Sequence, residues 1–334
     1  MATVSGMTAN SRIANTVLGP VTASDLGVVS VHEALLSVLP GAQYGFDLTI
    51  DRAEIFETLA AKLADFKQHG GGTIVDCTGM FHGRDLTLYE ALSRATGVHI
   101  VASTGLGPEE MLGGYFLTPQ TNPPTPWPAE KFADLFTREA TTGMAVPRLE
   151  RRAAAGLVVT ATSEAGSTAT ERSLLRGAAR AALDAGVAVS IRYGRDAVTD
   201  LEVVLAEGLP ANRVVVGELD RRDAMTDGAA QEVARRGAYV ALDHVGADDD
   251  DAYVTDRERA ALAATLTGQG HRDRILLSAN AIGAARGLPG RDLPYSYLLT
   301  AFVPLLRSAG LSDADVRQML VDNPADLLAL TSRR

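Results

Sequence analysis

The sequence predicts an α/β protein built as a single (β/α)8 TIM barrel with its active-site pocket at the C-terminal face. Three observations carry this. Eight short apolar runs, each the length of a buried strand, recur along the chain. Segments of helical periodicity separate them. The 334 residues suit a barrel, which takes about 250 and tolerates insertions. Buried strands alternating with amphipathic helices give a parallel sheet covered by helices, and eight such units close most simply on themselves. An open doubly wound sheet is the alternative topology, but no Gly-x-Gly-x-x-Gly opens a helix after the first strand, as a dinucleotide fold requires.

In chain order, residues 1–15 read as a flexible N-terminal tail and 16–334 as the barrel. Met1 to Asn10 lack both a basic and an apolar stretch, so they do not read as a signal peptide. The first strand is the run Val28 to Leu36, interrupted by the polar pair His32-Glu33; a barrel strand delivers functional side chains at its C-terminal end. Ile55, Leu59, Leu63 and Phe66 then recur at helical spacing, and Gly70-Gly71-Gly72 ends that helix. The second strand is Thr73 to Thr78, followed by a helix over Leu86 to Thr96, and the third is His99 to Gly105. Gly105 to Pro128 is the longest irregular stretch, with five prolines after Thr118 and the only tryptophan, Trp127, and reads as a lid or contact loop. Strands four to eight are Gly156–Thr160, Val187–Arg192, Arg213–Glu218, Ala238–His244 and Arg274–Ser278. The acidic run Asp248 to Asp251 reads as a solvated turn.

Composition excludes several classes. Hydrophobic residues at 46% and charged residues at 22% describe a folded globular chain. A net charge of −10 without a basic stripe argues against a nucleic-acid partner. No apolar run reaches the length of a membrane span. The single Cys77 excludes an internal disulfide and a cysteine-rich zinc site, and fits a cytoplasmic setting.

The first strand with its preceding Thr16–Val21, the Ile74–Thr78 strand followed by Gly83-Arg84-Asp85, Thr104-Gly105, Leu242-Asp243-His244, Asp273–Ser278 and Asn323-Pro324 stand in one order. Together they resemble the phosphotriesterase-like family of the amidohydrolase superfamily, over nearly the whole chain. The resemblance implies a homodimeric barrel enzyme that hydrolyses organophosphates, lactones or related esters with two divalent metals. Carried over one at a time, its metal ligands are mostly replaced here. The first-strand His-x-His keeps His32 but puts Ala34 at the second place. The bridging residue of the fourth strand falls at Val159, and the histidines of the fifth and sixth strands fall on Arg192 and Glu218. The aspartate of the eighth falls on Asn280, while the seventh-strand histidine, a proton-relay or substrate-contacting group, survives as His244. Of six histidines, only His32, His82 and His244 lie near the pocket end of the strands.

These replacements read together as a metal-free site with no cofactor, acting on a small polar or anionic carbonyl or ester-type molecule by hydrolysis, elimination or rearrangement. Arg192 and Glu218 would form an ion pair that neutralises the cavity, with Arg192 anchoring an anion or oxyanion. His244 and Glu218 would be the acid and base, and His32 an orienting catalytic group. Asn280, Tyr193, Asp220, His82, Arg84 and Trp127 are the candidate substrate contacts. Alternation along a strand turns Asp243 toward the helices and Tyr193 away from Arg192. Cys77, without a basic neighbour, reads as an inert buried thiol. Two other readings stay open: a silent ligand- or partner-binding homologue, and a metal hydrolase with an unusual ligand set around His32 and Glu218.

Overall fold

The computed structural model describes residues 12–40, 49–112, 127–146, 150–287 and 290–332. Eight parallel strand positions run in chain order around it: Val28–Val38, Gly71–Asp76, His99–Leu106, Leu157–Ala161, Ala188–Arg192, Val214–Gly217, Tyr239–Leu242, and an eighth in two pieces, Ile275–Leu277 and Ile282–Arg286. The first piece of the eighth strand pairs with the seventh, Leu277 beside Leu242. The second pairs with the first strand, Ile282 beside Ala34, so the sheet closes on itself through residues 278–281. The barrel reading therefore holds, and the open-sheet alternative falls.

Two apolar layers hold it. Val29, Val31, Val75, Val101, Leu157, Ala188, Val215, Ala241 and Leu276 fill the barrel's interior, two inward side chains from the first strand and one from each of the others. The opposite faces pack under the helices. Several helices start where the sequence supplies an acceptor: Asp51 accepts from the amides of Ala53 and Glu54, Asp85 from Leu88, and Thr168 and Thr255 form capping boxes with Glu171 and Glu258. The helix read from Ile55, Leu59, Leu63 and Phe66 runs Arg52–Gln68, and the one expected at Leu86–Thr96 has those bounds. Two wide helical turns, Leu298–Phe302 and Gln318–Asp322, stand just before Pro304 and Pro324, where the ring removes an amide donor. Asn323 then ties the closing helix to the eighth strand by donating from Nδ2 to the carbonyls of Arg272 and Ile275, at 2.9 and 2.8 Å.

The tail is shorter than expected at its C-terminal end. Ile13–Thr16 pairs with Gly19–Thr22 in a hairpin, and Ala14 and Asn15 are buried there. The reason is a backbone match with the far end of the chain: the amide of Leu330 donates to the Ile13 carbonyl at 2.7 Å. Met1 to Asn10, and residues 113–126 of the proline-rich loop, lie outside the described residues. No described helix is long and apolar enough to cross a membrane.

Candidate functional site

At the C-terminal ends of the strands lies a cavity of about 410 Å3. Its wall carries His32 and Glu33 from the first strand, Cys77 and His82 after the second, Arg192 from the fifth, and Asn280 from the break in the eighth. Leu106, Pro108, Val159 and Ile282 add apolar surface. The third and fourth strands come close at Gly105, whose φ is 121° and where an added Cβ would lie 1.8 Å from the Val159 carbonyl oxygen.

Arg192 reaches across to the sixth strand, its Nε 2.5 Å from Glu218 Oε1. Glu218 is 2% exposed and its other oxygen lies 3.7 Å from Arg221 Nη1, so it is spent on cations. Arg192, with a side chain 39% exposed, is committed only at Nε; its terminal amino groups have no hydrogen-bond partner among the described residues. Burial works against the guanidinium's charge, but the Glu218 carboxylate outweighs it and holds the arginine's pKa above its ordinary value.

Behind this pair lies a fully buried cluster. Asp243 accepts from the Glu218 amide at 2.8 Å, stands 2.8 Å from His32 Nδ1 and 3.2 Å from His244 Nδ1. Asp220 accepts from the His244 amide at 2.8 Å and from Arg259 Nε at 2.6 Å, and its second oxygen is 3.4 Å from His244 Nδ1. Tyr253 stacks on the His244 ring with centroids 3.7 Å apart. Burial drags on both histidines, yet the hydrogen bonds and charges of the aspartates win: His244 is pushed up to about 9, and His32 is raised as well. The same contacts hold both aspartates below the usual carboxylate range against the cost of burial. With Nδ1 spent on Asp243, the free nitrogen of His32 is Nε2. The Asn280 amide meets His244 Nε2 at 3.1 Å. The atom placed there is Asn280 Nδ2; a His244 ring protonated on both nitrogens would have only donors to offer and would take the amide's oxygen instead, which would turn the NH2 group toward the cavity.

Glu218 and Asn280 have φ of 58° and 46° and are the only non-glycine residues with positive φ among those described. Period-two alternation fails at such positions, since the chain has left β geometry. Asp243 faces the cluster inside the barrel and not the helices, contrary to the sequence expectation, because Tyr239 and Ala241 of the same strand point inward and alternation carries Asp243 to their side.

The structure brings His32, Arg192, Asn280 and His82 to the cavity wall, with His82 Nε2 3.2 Å from the Gly107 carbonyl oxygen. Glu218, His244 and Asp220 stand behind the wall as its support. Three further candidates lie elsewhere. Arg84 is buried in a two-pronged pair with Glu139, at 2.6 and 3.2 Å. Trp127 packs on Phe132 at the start of the third outer helix, under Lys131. Tyr193 points from the cavity as alternation predicted, its OH 3.4 Å from the Glu218 carbonyl and its ring under Arg221. Cys77 does face the cavity, but burial and the charges of Asp76, Asp243 and Glu33 push its thiol well up, which keeps it inert.

Sequence reasoning missed Glu33, Tyr253 and Arg259. Glu33 is 1% exposed and accepts from Ser30 Oγ and from the amides of Ala279 and Ala281; burial, against those bonds, pushes its carboxyl up to about 7. A charged residue inside an apolar strand run was the available signal. Arg259 is fully buried between Asp220 and Asp256; its position on the apolar face of the Asp256–Gly268 helix marked it.

Comparison with known proteins agrees with this architecture. The model of the phosphotriesterase family matches residues 12–328. A phosphotriesterase homology protein of Mycobacterium tuberculosis is 29% identical over 93% of this chain and 95% of its own length. An N-acetyltaurine hydrolase of Salmo salar is 26% identical over 95% and 98%. A solved structure of a mutant PTE-like lactonase from Deinococcus radiodurans superposes with a TM-score of 0.83 at 27% identity, covering 95% of this chain and all of the other.

Proposed function

The chain belongs to the phosphotriesterase family, and from that membership we propose that it hydrolyses small anionic esters or amides without the family's pair of metal ions. The observation that carries the proposal is the charge of the cavity wall. Arg192 and the Asn280 amide present donors to it, and Glu33, the one acidic residue among its described lining, already accepts three hydrogen bonds. Such a wall receives a carboxylate or a developing oxyanion. The hydrolases among the relatives favour hydrolysis over elimination or rearrangement.

The residues present do not suit two divalent cations. Of the positions carried over from the family, Ala34 and Val159 bring no donor atom, Arg192 brings a fixed positive charge, and Glu218 is held by that charge at 2.5 Å. Asp220, Asp243 and His244 do bring ligand atoms within 4.8 Å of one another. Arg259 and His32 already neutralise them, at 2.6 and 2.8 Å.

In this reading Arg192 binds the substrate through its free terminal amino groups, and the Asn280 NH2 stabilises the oxyanion as water adds to the carbonyl carbon. His32 Nε2, oriented and made more basic by Asp243, takes the proton from that water and returns it to the leaving alkoxide or amine as the tetrahedral intermediate collapses to acid. His244, stacked and doubly protonated, positions Asn280 and does not itself titrate during turnover. The acid and base roles thus move from His244 and Glu218 to His32. A silent plugged cavity is disfavoured because Glu218 engages only one face of the guanidinium.

The test is turnover of carboxylate-bearing esters, such as monoethyl succinate, by protein purified without chelator and assayed for bound metal. Turnover with substoichiometric metal, lost in His32→Ala and unaffected by added zinc, is expected. Stoichiometric zinc, manganese or cobalt, or turnover that appears only on adding them, would overturn it.

A further inference from the structure

Glu33 follows His32 in the chain, and the scheme above leaves it without a task. Its carboxylate accepts from Ser30 Oγ at 2.5 Å and from the Ala279 amide at 2.9 Å through Oε1, and from the Ala281 amide at 2.6 Å through Oε2. The two amides straddle Asn280. Asn280 itself donates its amide to the His32 carbonyl at 3.2 Å, and Ala34 donates to the Ala281 carbonyl at 3.0 Å. This is the stretch where the eighth strand is broken, after its pairing with the seventh strand ends and before its pairing with the first begins. Amides that leave a ladder while buried need another acceptor, and a carboxylate offers two oxygens. The left-handed conformation of Asn280 is uncommon for a residue with a side chain, though asparagine takes it more readily than most, and the bonds on either side hold it there. The other left-handed residue of the site, Glu218, is held in the same manner, its amide donating to the buried Asp243.

We propose that Glu33 is a positioning residue of the anion site: by gripping the amides on both sides of Asn280 it fixes that residue's left-handed turn, sets its side chain between His244 and the cavity, and ties it to His32. The inference rests on the anion-binding reading above. Glu33 touches no substrate; it acts through Asn280.

Glu33→Gln keeps the shape but turns one acceptor oxygen into an NH2 group facing an amide N–H, so one of the two amides loses its partner. Butyrate binding by calorimetry, on protein shown to be folded, should be at least tenfold weaker in E33Q than in the unmodified protein. Hydrogen exchange at Ala279 or Ala281 should accelerate in the same variant. Asp76→Asn is the control for general loosening. Asp76 is another fully buried carboxylate, holding the Leu35 amide at 2.8 Å and the Tyr89 hydroxyl at 3.0 Å but nothing on the eighth strand. D76N should lower the melting temperature and keep the butyrate Kd within twofold. Native butyrate affinity in folded E33Q, or equal weakening in E33Q and D76N, overturns the proposal. Should E33Q not fold, Ser30→Ala removes one of the three bonds, and a three- to fivefold loss of affinity replaces the tenfold one, with an unchanged Kd overturning the role. If the unmodified protein binds no butyrate, the anion reading has failed; exchange at Ala279 and Ala281 then still decides the clamp, faster in E33Q supporting it and unchanged refuting it.

Discussion

Replacing Arg192 separates a binding arginine from one that only plugs a hole. Arg192→Met keeps most of the side chain's apolar stem and removes the guanidinium. A charge-assisted hydrogen bond contributes about 1.5–3 kcal/mol, so butyrate affinity should fall about 10- to 150-fold. The same change strands Glu218, which is 2% exposed. Removing one partner of a buried pair costs about 3–5 kcal/mol. The Arg192 side chain is 39% exposed, so water reaches one end of this pair and screens it, bringing the expected loss to about 1–3 kcal/mol. The double variant R192M/E218Q removes the stranded charge and should recover most of that stability. It should not recover binding, because the donor is still gone. The assays are calorimetric titration with butyrate at fixed ionic strength and urea unfolding of the same three samples. If the double variant binds butyrate within twofold of the unmodified protein, Arg192 is a counter-ion for Glu218 and not an anion anchor, and the reading of the cavity fails.

Turnover should rise with pH through the raised pKa of His32, because the base must lose its proton before it can accept one from water; a rate independent of pH between 6 and 9, measured on monoethyl succinate, would exclude His32 as the base. Thermal stability should run the other way on the alkaline side. His244 is raised from 6.5 to about 9, so its contribution is complete below 6.5 and lost as pH climbs through 9. Glu33, raised from 4.5 to about 7, likewise contributes most below 4.5 and loses this as pH passes 7. Asp243 and Asp220 are lowered, so theirs is present above about 4 and lost on acidification. Melting curves should therefore peak on the acid side of neutral and decline toward pH 9; a flat profile would contradict the charge assignments. Asn280→Asp adds a carboxylate to the cavity that Arg192 also lines, and butyrate should bind about tenfold more weakly at low salt, less so at high salt; calorimetry at two ionic strengths checks both. Arg259→Met leaves Asp220 and Asp256 buried without their cation, for an expected loss of about 3–5 kcal/mol in urea unfolding.

The strands were legible because each is a short, nearly continuous apolar run, the pattern of a strand buried on both faces, and all eight fall where that pattern put them. The pairing of Arg192 with Glu218 was legible too, since both sit at the ends of adjacent strands and carry opposite charge. The division between cavity and backing was not. Whether a side chain at a strand end points into the cavity depends on φ and ψ at that one residue, and Glu218 and Asn280 take a conformation for which neither residue type carries a signal as strong as glycine's. Arg84 was placed at the site by its motif neighbours, whereas its position follows from Glu139, a residue 55 positions away in sequence. The break in the eighth strand was hidden for a related reason. Ser278 to Ile282 carries no glycine or proline to mark a break, and the amides that leave the ladder there are taken up by a carboxylate from the first strand.

The buried carboxylates explain why the replacements form a set. Asp220, Asp243 and Glu218 bring three negative charges to a volume almost closed to water, and such charges persist only when paired. In a barrel with two dications the metals would do this. In the proposed metal-free site Arg259, Arg192 and the two raised histidines would do it, with charged groups 2.5 to 3.4 Å apart. That pairing is directional, which an ion's is not: it leaves the terminal amino groups of Arg192 without partners among the described residues and Nε2 of His32 free, and both residues line the cavity. A change that preserved the carboxylates' neutrality with a lysine at 192 would keep the charge balance but lose the fork that serves Glu218 and a substrate at once. The chemistry of the site therefore resides in the donors that remain after the cluster has neutralised itself.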